Sequence, residues 1–226
     1  MPPSLAAKGA LYDTAGSATT SHGIGLPSRS VNQLLLSMFS CDGSGAPRHT
    51  WPGAWNKLAE VDSPGSAGLS FGWRKATNDA NDALTITTPS EQAIAIMWAI
   101  SGWDEVTAPE YATATGSSAA PDSPSLTVSW PQTANFWVSW FGMNGGGDAG
   151  STPPGSYTEE EDFGTGGAGA CKISTAWAQI GGTTQNPGAW ADINQTWVAV
   201  TIGIRPLGGG SLIVPNLSEM MAILAR

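Results

Sequence analysis

Few side chains in this sequence have the type and spacing to do chemistry. Only two histidines occur, His22 and His49, both in stretches flanked by Gly, Ser and Pro. A serine nucleophile needs a histidine held by a carboxylate and aimed at it. Asp42, shortly before His49, offers no spacing of that kind. Both histidines are therefore expected as solvated loop residues. Glu159-Glu160-Glu161-Asp162 is the densest charge run. Paired carboxylates can hydrolyse glycosides or hold Ca²⁺. Consecutive strand residues, however, point to opposite faces, so adjacency does not make them converge. A solvated edge that discourages sheet-to-sheet aggregation is the expected role. Gly164-Thr165-Gly166-Gly167-Ala168-Gly169 matches G-x-G-x-x-G. A dinucleotide loop needs a strand before it and a helix after it. Here an acidic segment precedes and the β-type run Lys172–Thr175 follows, so a hairpin loop is expected. Cys41 and Cys171 are too few for a disulfide framework or a zinc site and are expected as buried thiols. No catalytic residue, metal ligand or cofactor is assigned, and the chain reads as a non-enzyme.

The tryptophans carry the remaining signal. Of eleven, Trp73, Trp98, Trp137, Trp140, Trp177 and Trp197 fall in apolar runs and are expected in the core. Trp51, Trp55, Trp103, Trp130 and Trp190 fall at strand ends or in loops. An exposed cluster of Trp51, Trp55 and Trp103 could stack on sugar rings.

Composition narrows the classes. Lys plus Arg is 9 against 18 acidic residues, a net charge of -9. Nucleic-acid binding needs a basic stripe to displace counterions, and docking on anionic membranes needs one too. Both are excluded as expectations. The chain carries 29 Gly and 16 Pro. Helices tolerate such a load poorly, whereas turn-rich β proteins accommodate it. The N-terminal Met1-Pro2-Pro3-Ser4 has no basic and apolar leader pattern, and no window reaches the length of a membrane span.

Short apolar runs bounded by Gly, Pro, Ser and Asn predict strands. They are Leu34–Phe39, Leu69–Trp73, Leu84–Thr88, Ala93–Ile100, Leu126–Trp130, Phe136–Phe141, Cys171–Trp177 and Trp197–Ile204. Phe136–Phe141 places aromatics on both faces, as in a strand covered on both sides, whereas Leu84–Thr87 alternates like a half-buried one. The runs repeat. Gln33–Trp55 matches Asn135–Tyr157 without a gap: Ser37 with Ser139, Phe39 with Phe141, Pro52-Gly53 with Pro154-Gly155. Ala93–Ile96 then matches Trp197–Val200 at an offset two residues larger. Residues 21–102 thus resemble residues 125–206. One half supplies too few strands to bury both sides of a sheet, and two halves together supply enough. The predicted fold is an all-β, jelly-roll-like antiparallel sandwich of about eight core strands from an internal duplication, one domain over residues 1–206. Residues 1–20 are expected as an arm or edge strand, and residues 103–124 as a link. Residues 207–226 form a Gly hinge and a short docking segment carrying Leu212, Ile213, Val214, Met220, Met221, Ile223 and Leu224. A short helix capped by Ser218 is expected there, and it needs a surface to dock on.

Over residues 20–206 the pattern resembles a diffuse group of phage and prophage β-sandwich proteins. The motifs are Leu34–Phe39, Asp42-Gly43, Pro52-Gly53-Ala54-Trp55, Trp73-Arg74-Lys75-Ala76-Thr77, Leu84–Thr87 and Ile94–Gly102. The resemblance implies a virion surface component, such as a decoration or tail-associated protein. Its expected partners are other copies of itself, as in a trimer, and a major capsid or tail protein. The alternative is a carbohydrate-binding module or adhesin that recognises host glycans.

Overall fold

The computed structural model describes residues 1–208 except 44, 46–47, 64–66, 131–133, 146–149 and 166–169. The expected C-terminal docking residues, Leu212, Ile213, Val214, Met220, Met221, Ile223 and Leu224, lie outside the described residues. The first half of the chain contains β1 (Ser4–Lys8), β2 (Tyr12–Asp13), β3 (Thr19–Ile24), β4 (Leu34–Cys41), β5 (Asn56–Ser63), β6 (Ala67–Lys75), β7 (Leu84–Glu91) and β8 (Ala93–Ser101). The second contains β9 (Glu110–Ser118), β10 (Asp122–Ser123), β11 (Leu126–Thr127), β12 (Asn135–Asn144), β13 (Thr158–Gly164), β14 (Cys171–Ile180), β15 (Thr184–Gln185), β16 (Gly188–Ala189) and β17 (Gln195–Ile204).

Each half builds its own sheet. The first runs β1-β8-β4-β6-β5, with β2 beside β8, and the second runs β9-β17-β12-β14-β13. Read outwards from β4 and β12, these are the same strand order. The contacts between sheets exchange in the same way: β1 meets β13 where Lys8 pairs with Glu160 and Glu161, and β9 meets β5 where Tyr111 donates to the Leu58 carbonyl. Asp62 pairs with Gly68 and Gly164 with Lys172, so the offset between halves passes from 102 to 104 across this one hairpin. Gly164 of the Gly-rich stretch ends β13, which pairs antiparallel with β14, while residues 166–169, on which the expected hairpin loop falls, lie outside the described residues.

Strict alternation sorts the side chains. On β4, Leu34, Leu36 and Met38 face the second sheet, while Leu35, Phe39 and Cys41 face outwards. On β12, Phe136, Val138 and Trp140 face inwards and Trp137, Phe141 and Met143 outwards. Every one of these is buried. The outward faces are covered too. The β3–β7 ribbon lays Ile24, Leu84 and Ile86 over the first sheet. Leu126, Val128, Trp130 and Trp190 cover the second. Strands buried on both faces therefore read as continuous apolar runs, and the covering strand β7 alternates. The sheets approach closely at Gly142, where a Cβ would run into Ser40 and Leu69 of the opposing sheet. That contact requires glycine.

One segment differs from expectation: residues 103–124, expected as a link, contain β9, nine residues at the edge of the second sheet. Residues 1–20, expected as an arm or edge strand, contain the equivalent edge strand β1. Both are rich in Ala, Ser and Thr because an edge strand buries little, so no apolar run announced them. With them the two sheets hold ten long strands instead of about eight, together with the short β2.

Candidate functional site

The first half concentrates its titratable side chains beneath the β3–β7 ribbon. Tyr12, His22, Phe39 and His49 form a continuous edge-to-face stack with ring centroids 5.6, 5.1 and 5.0 Å apart. The expectation of solvated histidines is corrected: His22 is fully buried and His49 is 4% exposed. Gly, Ser and Pro neighbours signalled a loop, but the covering ribbon closes over both rings. The network fixes the tautomer of His22. The Thr88 hydroxyl donates to the Pro89 carbonyl at 2.6 Å, so it accepts from His22 Nε2 at 2.8 Å. Nδ1 then accepts from the Tyr12 hydroxyl at 3.1 Å. Burial, reinforced by the His49 charge, lowers the pKa of His22 to about 4.

His49 Nε2 lies 3.2 Å from Cys41 Sγ. Such a pair is the arrangement of an activated thiolate, but here both groups are held neutral. Burial pushes the Cys41 thiol up to about 12 and lowers His49 to about 4, despite the Glu60 and Asp62 carboxylates. Cys171 is likewise buried and unbridged, its thiol raised by burial. The backbone around His49 is pinned by Glu60, which accepts from the Arg48 and His49 amides. Lys57 Nζ reaches Glu60 at 2.9 Å and the His49 carbonyl at 3.0 Å.

Against this framework lies a concave cavity of about 480 Å³, lined by Arg48, His49, Thr50, Trp51, Trp55 and Lys57, with Pro52 and Gly53. Here the sequence expectation for the tryptophans divides. Trp51 is half-buried, its ring over Gly72 of β6 and its Nε1 donating to Ser70 Oγ at 3.1 Å. Trp55, 6.1 Å from Trp51 between centroids, is only 5% exposed and donates to the Ala83 carbonyl. Trp103 is 2% exposed in the inter-sheet core, edge-to-face with Trp73 and donating to the Asn32 carbonyl. Trp130 and Trp190 are buried as well. No exposed row of tryptophans forms among the described residues. Loop and strand-end tryptophans turn inwards to bury their rings, and each of their indole N–H groups finds an internal acceptor. No family model matches this chain, and no curated protein or solved structure shows significant similarity to it.

The equivalent region of the second half carries different chemistry. Offsets of 102 and 104 set Ser151 where His49 stands, Asp162 for Glu60, Lys172 for Gly68, Ser174 for Ser70 and Asp192 for Thr88. Lys172 is fully buried, with Nζ 3.0 Å from Asp162 Oδ1 and 3.0 Å from Asp192 Oδ2. Asp162 also accepts from the Ser151 amide at 2.7 Å and from Ser174 Oγ at 2.6 Å. These donors and the Lys172 charge hold its carboxyl below the usual range despite partial burial. The expected solvated role of the acidic run therefore fails at Asp162, while Glu160 and Glu161 on the edge strand meet Lys8. Sequence reasoning missed this cluster because its members lie on three separate segments. The usable signal was Lys172, a charge inside an apolar run. Among the described residues no group of three His, Cys, Asp or Glu side chains is arranged to hold a metal ion.

Proposed function

We propose that this chain is a non-enzymatic structural protein of a bacteriophage virion, decorating or cementing the capsid or tail surface as a homo-oligomer whose two halves arose by duplication. The supporting observation is an apolar end on a weakly charged body. Trp103 bridges to Pro206, Leu207 donates to the Gly102 carbonyl, and Asn32 accepts from Trp103. Val31, Val106 and Leu207 stand exposed around this point. From it the chain leads into residues 209–226, whose sequence contains Leu212, Ile213, Val214, Met220, Met221, Ile223 and Leu224. Exposed apolar groups collected in one place mark an association surface. The resemblance carried by the Asp42-Gly43, Trp73–Thr77 and Leu84–Thr87 motifs supports the virion setting. Deleting residues 209–226 is expected to convert an oligomer, a trimer in this reading, into a monomer in sedimentation equilibrium, with the β-sheet circular dichroism unchanged. A full chain that is monomeric at every concentration, or a truncated one that keeps the oligomer, rejects the reading.

The cavity beside Trp51 favours a second reading, a carbohydrate-binding module or adhesin for host glycans. A half-buried indole with Lys57, Arg48 and Thr50 nearby offers one stacking face and hydrogen-bonding groups around it. Trp51→Ala is then expected to weaken binding on a glycan array about tenfold, the loss of ~1.4 kcal/mol. Trp55 and Trp103 are too buried to be used for this test. An array on which the intact chain binds nothing removes this reading and leaves the first.

A further inference from the structure

The buried Lys172 cluster has the composition and placement of a covalent cross-linking site. We propose that Lys172 Nζ and Asp192 Cγ join in an intramolecular isopeptide bond, with Asp162 moving the protons. Lys172 and Asp192 are both 0% exposed and 3.0 Å apart, nitrogen to carboxylate oxygen. The reaction needs the pair as amine and carboxylic acid, which one proton passing from Nζ to the adjacent carboxylate supplies.

The two aspartates are not equivalent. Asp162 accepts from the Ser151 amide, Ser174 Oγ and Lys172, a donor set suited to a persistent carboxylate. Asp192 Oδ1 accepts from the Ile193 amide at 2.6 Å, and its Oδ2 lies 2.5 Å from Ser151 Oγ. These contacts hold the Asp192 carboxyl beside Nζ and leave it the electrophile. Nζ attacks Asp192 Cγ as Asp162 takes the proton from nitrogen. Asp162 then returns that proton to the departing hydroxyl, which leaves as water. One N–C bond forms, one C–O bond breaks, and nothing is oxidised or reduced. Fixed placement of the three groups replaces an external catalyst.

The molecule supplies its own control. The first half has the same strand order with Gly68 and Thr88 at the equivalent positions. The fold therefore does not require the Lys-Asp-Asp set. The bond would tie β14 to the segment that enters β17, bridging strands on either side of β12. This inference does not depend on the virion reading.

The test is peptide mapping of the full chain, unfolded in denaturant and digested with trypsin. The linked lysine resists cleavage, so the expected product runs from Ala76 to Arg226 uncut at Lys172 and is one water lighter than its sequence. Lys172→Arg and Asp162→Asn are expected to restore the full mass. Asp192→Asn is expected to cross-link with loss of ammonia in place of water. A wild-type chain cut after Lys172 into fragments of full mass overturns the proposal, leaving the cluster as an ion-pair anchor. Cross-linking that survives Asp162→Asn undiminished overturns the role of Asp162.

Discussion

Acidification from about pH 6.5 to about pH 4 is expected to remove about 3 kcal/mol of folding stability for each of His22 and His49. In the unfolded chain both imidazoles take up a proton near their ordinary value of 6.5. In the folded protein burial delays that uptake to about 4. Between these values the unfolded state binds more protons, so stability falls as the pH falls. The contribution is fully present above 6.5 and reaches its floor below 4. Part of the loss is shared, because the two rings belong to one stack and His49 already opposes a charge on His22. Urea midpoints measured at half-unit intervals between pH 4 and 7.5 check this. The midpoint should drop steeply in the wild type and more gently in a His22→Gln/His49→Gln variant. A wild-type midpoint that stays level across the window would falsify the neutral, buried state of the histidines.

Asp82→Ala is expected to cost about 3–5 kcal/mol, because it strands two guanidinium groups in a mostly buried site. Asp82, in the short 3₁₀ turn Ala80–Asp82, is fully buried. Its oxygens lie 2.5 Å from Arg29 Nε and 2.9 Å from Arg74 Nε and accept the Thr77 and Asn78 amides at 3.1 and 2.7 Å. Despite burial, these four donors hold its carboxyl far below the usual carboxylate range. Its contribution is therefore present above the ordinary carboxylate range and lost as the pH falls through its lowered folded value. This acid loss sets in within the ordinary carboxylate range, where the histidine loss is ending, and continues below it. Guanidinium denaturation at pH 7 should show the Asp82→Ala midpoint well below the wild type. Arg29→Ala, which leaves Arg74 in place, should cost less. Equal stability of Asp82→Ala and wild type would show that the clamp is dispensable. The clamp also explains Arg74 in the Trp73–Thr77 motif: it is the residue that fastens the end of β6 to the turn before β7.

Much of the body was legible in the chain. Leu34–Cys41, Ala93–Ser101, Phe136–Asn144 and Trp197–Ile204 lie where continuous apolar runs predict strands covered on both faces. Leu84–Glu91 lies where alternation predicts a half-covered one. The equivalence of Gln33–Trp55 with Asn135–Tyr157 follows the strand register, because the same pattern of inward and outward residues has to be written twice. The edge β9 was not legible and β1 was legible only as an arm or edge strand, since strands that bury little need no apolar side chains.

The candidate sites were legible in parts only. Trp51 and Trp55 were singled out together and stand together, whereas Trp103 turned out to belong to the core. The pairing of Cys41 with His49, and of Lys172 with Asp162 and Asp192, was not visible. A period-two pattern is a local property of the chain, so the sequence by itself determined the all-β class and most central strands. Burial of a polar side chain depends on what packs above it. Only the tertiary structure decided that two histidines lie under the β3–β7 ribbon and that a lysine sits between two carboxylates. Those neighbours arrive from segments far away along the chain, and no local pattern encodes their meeting.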